Sequence, residues 1–257
     1  MRIVSLNVNG IRAAVKKGLA EWWQSVDGDI LLLQEVRFDQ KAFLEKHFPG
    51  YYCYLHTAAK KGYSGVAILS RKVPKQVVDG IGNPRFDKEG RVIRIDFEEF
   101  SIVNGYFPSG AARPERQDFK LEFLESFGDY LDVVHHEILN VMVGADWNMC
   151  HREKDIHNPI RLAGTPGFSV EERRWLDGLE HAGWRDAFRL FSDERDAYTW
   201  WSHQSRSRER NVGWRIDGFW MSPTAVPGAR RCVHLSKAVL SDHCPVLLEW
   251  ELPTTFG

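Results

Sequence analysis

Short apolar runs broken by polar, glycine-bearing segments recur along the chain, and their period switches between that of strands and that of helices. Residues 2–8 predict a first strand ending in Asn7-Val8-Asn9-Gly10. A helix is expected from Ile11 to about Val26, with Leu19, Trp22 and Trp23 on its buried side. Residues 29–34, Asp-Ile-Leu-Leu-Leu-Gln, read as a second buried strand with Glu35 at its end. A short helix over residues 38–48 follows, then strands over 51–55 and 66–70. Residues 91–97 and 100–106 alternate like a half-buried hairpin joined by the acidic turn Glu98-Glu99.

Pro114 opens a long helix to about Val134, since the first-turn amide of a helix needs no acceptor. Next comes an apolar, β-branched run from Ile138 that ends at Gly144, the pattern of a strand buried on both faces. Residues 150–167 are irregular and too long for a plain connector, which marks them as functional. Ser169-Val170-Glu171-Glu172 has the form of a capping box and starts a helix to about Ala182. Strand patterns return at 197–202, at 211–221 and at 244–251, with a basic turn over 205–210. No linker, repeat or low-complexity segment interrupts the chain. The order fits one α/β domain spanning residues 1–257, with two sheets packed face to face and helices outside.

Composition bounds this picture. With 43% hydrophobic and 27% charged residues, 257 residues suffice for a large core. The net charge of −1 advertises no polyanionic partner, so any nucleic-acid contact must come from a local patch, with a cation in the site. Cys53, Cys150, Cys232 and Cys244 have no metal-finger spacing and read as reduced thiols. The start lacks a signal-peptide pattern and no run reaches transmembrane length. The expectation is a soluble, intracellular monomer, cytoplasmic if the source is a bacterium.

The chemistry gathers at strand ends. Asn7, Glu35, Tyr106, Asp146, Asn148, Asp217, Asp242 and His243 all sit there. In open sheets flanked by helices, the loops beyond strand ends hold functional groups because rigid strands aim them. Hard oxygen donors select Mg²⁺, or Mn²⁺, over zinc. A cation, an activated water, an imidazole and a phenol together suit phosphodiester hydrolysis. Each residue also has a plainer reading: Gly-x-Asp-x-Asn is ordinary turn chemistry, and a lone His beside a strand is usually structural. Lys60-Lys61-Gly62-Tyr63 reads equally as a phosphate contact or a solvated loop.

Seven blocks in order carry a resemblance. They are Ser5-Leu6-Asn7-Val8-Asn9-Gly10-Ile11-Arg12, Leu33-Gln34-Glu35, Gly62-Tyr63-Ser64-Gly65, Gly105-Tyr106-Phe107-Pro108, Gly144-Ala145-Asp146-Trp147-Asn148, Asn211-Val212-Gly213-Trp214-Arg215-Ile216-Asp217 and Ser241-Asp242-His243-Cys244-Pro245. Together they resemble the exonuclease III family of DNA-repair enzymes, within the endonuclease/exonuclease/phosphatase superfamily. The resemblance implies a four-layer α/β sandwich, two mixed β-sheets flanked by helices, and Mg²⁺-dependent cleavage of DNA phosphodiesters leaving a 3′-hydroxyl. It makes Glu35 the main metal ligand, with Asn7 and Asp242 nearby. Asp146 would orient or deprotonate the attacking water beside Asn148; His243, held by Asp217, and Tyr106 would contact the phosphate. Arg12, Lys17, Gly62, Tyr63 and Arg91 match positions near DNA phosphates, and Trp200, Trp214 and Ile216 match a sugar pocket.

The match departs most within the irregular stretch. His157, Asn158, Leu162 and Thr165 form a candidate specificity loop, in which Asn- and Lys-rich residues give way to Ile160-Arg161-Leu162-Ala163-Gly164-Thr165-Pro166. Ala112 and Gln204 stand where some members place side chains that wedge into the duplex. Extruding an internal nucleotide costs a few kcal/mol. The expected partner is therefore duplex DNA with damaged or recessed 3′ ends, with abasic-site incision left open. Rival readings are a superfamily phosphodiesterase acting on a non-DNA substrate and a non-catalytic DNA-binding module.

Overall fold

The computed structural model describes residues 1–203 and 206–253, so Gln204 lies outside the described residues. In chain order its strands are β1 (Arg2–Asn7), β2 (Ile30–Gln34), β3 (Tyr52–His56), β4 (Val66–Ser70), β5 (Gln76–Asp79), β6 (Val92–Asp96) and β7 (Phe100–Tyr106). They continue with β8 (Asn140–Asp146), β9 (Arg185–Asp186), β10 (Trp200–Trp201), β11 (Gly213–Trp214), β12 (Asp217–Met221), β13 (Ala229–His234) and β14 (Val246–Trp250). One six-stranded sheet has the order β13-β14-β1-β2-β4-β3 and the other β5-β6-β7-β8-β12-β9, while β10 and β11 form a separate ribbon. Both large sheets are mixed: β1–β2 and β7–β8 run parallel, and the neighbouring pairs are antiparallel.

Alternation along the strands sorts side chains into three apolar layers. Ile3, Leu32, Ile68, Ile102, Met142 and Phe219 meet between the sheets. Val4, Leu31 and Leu69 face outward to the helices α1 (Ile11–Lys16), α2 (Leu19–Val26) and α3 (Lys41–His47). After the one-turn α4 (Pro84–Asp87) come α5 (Pro114–Glu137), the short α6 (Pro159–Leu162) and α7 (Val170–His181). Phe123, Phe127 and Leu176 of α5 and α7 cover Val103, Val143 and Trp220 on the outer face of the second sheet. The result is the expected sandwich of helices, sheet, sheet, helices. No helix among the described residues is long and apolar enough to cross a membrane.

Several local expectations need correction. The helix expected over 11–26 is two helices, because Gly18 adopts a left-handed conformation with φ 90° between them. The hairpin β6–β7 pairs as expected, but β6 is buried on both faces: Arg94 and Asp96 satisfy each other there with Nε and Oδ1 3.0 Å apart. Edge strands β5 and β13 had no apolar pattern to reveal them, since an edge position leaves alternate side chains in solvent. Residues 150–167 hold a short 3₁₀ turn at Glu153–Asp155 and the single turn α6.

Gly144 does not end a strand, since β8 continues to Asp146. It marks a close approach between the sheets: a Cβ there would lie 2.4 Å from Leu32 Cδ1 and 2.6 Å from Phe219 Cε1. Gly144→Ala should therefore overpack the central layer and cost about 1–3 kcal/mol in denaturant unfolding. An unchanged midpoint would mean that the sheets separate locally without cost.

Candidate active site

The parallel pairs β1–β2 and β7–β8 bring the C-terminal ends of central strands to one rim. Asn7 pairs with Gln34 in the first sheet, and Tyr106, Asp146 and Asp217 lie side by side across β7, β8 and β12 in the second. Just beneath, Gln34 donates to Asn104 Oδ1 at 2.7 Å, and Asn104 donates to the carbonyls of Leu33 and Ala67. These buried hydrogen bonds clamp the sheets together where functional side chains emerge. The backbone then turns sharply: Asn9, Glu35 and Asn148 have φ of 45°, 54° and 52°. For a glutamate that conformation carries a cost of roughly 1–2 kcal/mol, and such strain collects at functional sites.

Asp146 is the junction. It is buried, and its Oδ2 accepts from Asn7 Nδ2 at 2.8 Å while Oδ1 accepts the Asn148 backbone N–H at 2.9 Å. His243 Nδ1 sits 3.0 Å and 3.1 Å from the two Asp217 oxygens, and its other nitrogen is 4.0 Å from Asp146 Oδ2. Burial and the neighbouring Asp217 charge raise the Asp146 pKa, making it a stronger base than a free carboxylate. Burial opposes a charged His243, but the charges of Asp217 and Asp146 outweigh it and hold the imidazolium. Burial, with the Glu35 and Asp146 charges, pushes the Tyr106 phenol well above its usual value, so it stays a donor at neutral pH.

The opposite wall is built on Asp242, which accepts from Asn9 Nδ2 at 3.0 Å and from Trp200 Nε1 at 3.2 Å. Burial opposes its charge; His243 and these donors, with Ser241, nevertheless hold its pKa low. Asn7 also donates to Glu35 Oε2 at 3.1 Å, while Arg37 pairs with Glu35 Oε1. Glu35, Asp146, Asp242 and Asn7 all line a cleft of about 420 Å³ together with Tyr106, His243 and three apolar residues, Trp200, Trp214 and Ile216. This donor set is carboxylate and amide oxygen without a thiol, which fits a hard divalent cation. Ligand atoms of Asp146, Asp217 and His243 also lie within 4.8 Å of one another, another acidic cluster able to take one.

All eight strand-end residues converge except that Asp217 stays behind His243. The DNA-contact candidates divide. Arg12 is exposed on α1, and with Lys16, Arg37 and Gly62 it lines a groove of about 450 Å³ that shares Asn9 and Arg37 with the cleft. Lys17 is exposed at the end of α1, outside that lining. Arg91 is buried: it bonds Glu89, the Tyr106 carbonyl and the Tyr63 hydroxyl, and its guanidinium lies 4.8 Å over the Tyr106 ring. It props Tyr63 and Tyr106 and has no face for a phosphate.

The specificity-loop residues do not line the cleft. Asn158 caps α6, Thr165 Oγ1 bonds the Leu162 carbonyl, His157 bonds Gly213, and Leu162 packs, as Trp200 and Trp214 do, against the cluster of Cys150, Ile156, Phe168 and Ile216. Pro166 and Gly167 reach the cleft instead. Asn9, which ties Asn7 to Asp242, and Arg37, which pairs with Glu35, are parts of the site to which the sequence reading assigns no role. Their signal was their place within or beside the strand-end blocks.

The chain is 36% identical over 250 residues to an exodeoxyribonuclease of Bacillus subtilis, covering 96% of this chain and 98% of the relative. It is 39% identical over 254 residues to DNA repair nuclease APEX1 of Danio rerio, covering 96% of this chain and 81% of that protein. Its fold superposes with a TM-score of 0.89 on the 3′ phosphatase NExo from Neisseria bound to a product DNA hairpin, at 25% identity, over 98% of this chain and 99% of that one. Residues 4–243 match the model of one family. The chain belongs to the endonuclease/exonuclease/phosphatase family.

Proposed function

We propose that this protein is a DNA-repair nuclease that hydrolyses phosphodiesters and phosphomonoesters at the 3′ ends of duplex DNA, leaving a 3′-hydroxyl, with Mg²⁺ as cofactor and Mn²⁺ as a substitute. The observation that carries this reading is the Asp146 junction. A buried base, an imidazolium on Asp217 and a protonated phenol face one cleft that a basic groove adjoins. The relatives that bear names of 3′ phosphatase, exodeoxyribonuclease and DNA repair nuclease support it.

In this mechanism Asp146 takes the proton of the attacking water, oriented by Asn7 and by the Asn148 amide. His243 donates to the phosphate oxygen on which charge develops, and Asp217 keeps the ring charged and aimed. Tyr106 donates a second hydrogen bond to the phosphate. Glu35 and Asp242 would hold the cation, and the chemistry it would supply when bound is neutralisation of the phosphate and stabilisation of the departing 3′-oxygen. Asn7 connects Glu35 to Asp146 through its amide N–H₂. Trp200, Trp214 and Ile216 offer the sugar an apolar wall. Arg12, Gly62 and Arg37 offer the backbone a groove, with Lys17 and Tyr63 near it.

The preference for 3′ ends over internal abasic sites rests on Ala112, a small exposed residue on the loop before α5, which has nothing to insert into a duplex. A recessed, 3′-labelled duplex incubated with Mg²⁺ should shorten, and EDTA should stop it. No shortening of any DNA would overturn the proposal. Beside it, a duplex with a 3′-phosphate and one with an internal abasic analogue should react at different rates, the 3′-phosphate faster. Equal rates would remove the preference for ends.

A further inference from the structure

Behind the cleft lies a charged pair that the proposed chemistry does not use. Lys120 of α5 and Glu172 of α7 are both fully buried, with Nζ and Oε1 2.6 Å apart. Lys120 Nζ also donates to the Asn148 carbonyl at 2.8 Å. Both Glu172 oxygens accept the Gly167 N–H, at 3.0 Å and 2.8 Å, and Oε2 accepts the Ser169 N–H at 2.9 Å. The Gly167 carbonyl in turn accepts the Cys150 N–H at 2.8 Å.

Two cleft walls therefore hang from one pair. Asn148 sits in a left-handed conformation, from which its side chain reaches the Phe107 carbonyl and its N–H reaches Asp146. Gly167 is wedged between Trp214 and the Asn148 carbonyl, where an added Cβ would come within 2.8 Å of Cζ3 and 3.1 Å of the carbonyl oxygen. Stability is a weak reason for burying two charges, because desolvation offsets most of their attraction and an apolar pair of similar volume often folds as well. An apolar pair, however, offers no donor to the Asn148 carbonyl and no acceptors to Gly167 and Ser169.

We propose that Lys120 and Glu172 are positioning residues for the active site, holding the backbone of Asn148 against that of Gly167 so that Asp146 and the Trp214 wall keep one geometry. This rests on the reading of Asp146 and Asn148 as reacting-site residues. The capping box at Ser169 thus serves twice: it starts α7, and its glutamate anchors the cleft.

The test uses the full chain carrying K120M/E172Q, a neutral pair in which the glutamine carbonyl still accepts from Gly167 and Ser169. On a recessed duplex with Mg²⁺, kcat should fall about 10–100-fold with KM within about twofold, the signature of misplacement rather than lost binding. In a double-mutant cycle, Asn148→Ala should cost clearly less in this background than in the wild type. Full additivity, or an unchanged kcat, would overturn the proposal. Amide hydrogen exchange at residues 147–149 and at Gly167 and Phe168 should quicken in the variant, and unchanged exchange there would overturn the device even if no DNA is cleaved. A wild type inactive on DNA defeats the functional reading alone, leaving exchange to decide this one. Should the double variant fail to fold, E172Q by itself supports the same exchange measurement.

Discussion

Asparagine in place of Asp146 is expected to lower kcat on a 3′-recessed duplex by roughly 10²–10⁴-fold, the range a positioned general base supplies. The melting temperature should not fall with it. The Asp146 carboxylate is buried beside the Asp217 charge, and both raise its pKa, so the folded state binds its proton more tightly than the unfolded state does. A group with a raised acid pKa weakens the fold progressively as pH rises above its unfolded value. Asparagine removes that charge while its oxygen still accepts the Asn148 N–H; the amide toward Asn7 must turn, since two donors would then face each other. Activity and stability are therefore opposed at this residue, as they often are at sites built for chemistry. Kinetics and a thermal scan on the same preparation check both halves. Activity within tenfold of wild type would take the base role from Asp146, and a large loss of melting temperature would make it an architectural residue.

What could be read from the chain follows from how local the signals are. The buried runs at β2, β4 and β8 announced themselves because each is apolar on both faces, and the capping box at Ser169 is encoded within four residues. The order of polar residues at strand ends was equally legible, and the folded chain brings them together around Asp146. Pairings between distant residues were not. Arg91 matched a phosphate-contact position, yet Glu89 and two carbonyl or hydroxyl partners absorb its donors. Glu172 was legible as a helix cap but not as the partner of Lys120, because that contact depends on α5 and α7 lying side by side. Gly144 followed the same rule: a glycine inside a strand pattern signals either a stop or a close approach, and only the position of Leu32 and Phe219 decides which. The candidate specificity loop fell outside the cleft because α6 turns its residues onto themselves, leaving Pro166 and Gly167 to make the wall.

The largest loss of stability is expected from Arg215→Met. Arg215 is buried between two carboxylates, with Nε 2.7 Å from Asp155 Oδ1 and Nη1 2.7 Å from Asp186 Oδ2; Arg189 pairs with Asp155 as well. Its own N–H bonds the Asp155 carbonyl at 2.7 Å. This network underlies the segment from the end of β11 to the start of β12 that carries Trp214, Ile216 and Asp217. Methionine fills much of the volume but takes the cation from Asp186 and leaves Asp155 with Arg189 alone, and breaking a buried pair from one side costs about 3–5 kcal/mol, or on the order of 10 °C in melting temperature for a chain of this size. The pH dependence identifies the cause. Burial alone would raise the Asp155 pKa, but Arg215 and then Arg189 pull it well below the usual carboxylate range. A depressed acid adds stability that is complete above its unfolded pKa and disappears as pH falls through the folded value. Without Arg215 the depression shrinks, so the stability gap between wild type and variant should be widest near neutral pH and narrow toward about pH 3, where the unfolded acid is mostly protonated. Denaturant titrations at the two pH values measure it. A gap that stays constant would assign the loss to packing around the guanidinium rather than to its charge, and the network would then hold Trp214 and Asp217 in place by shape alone.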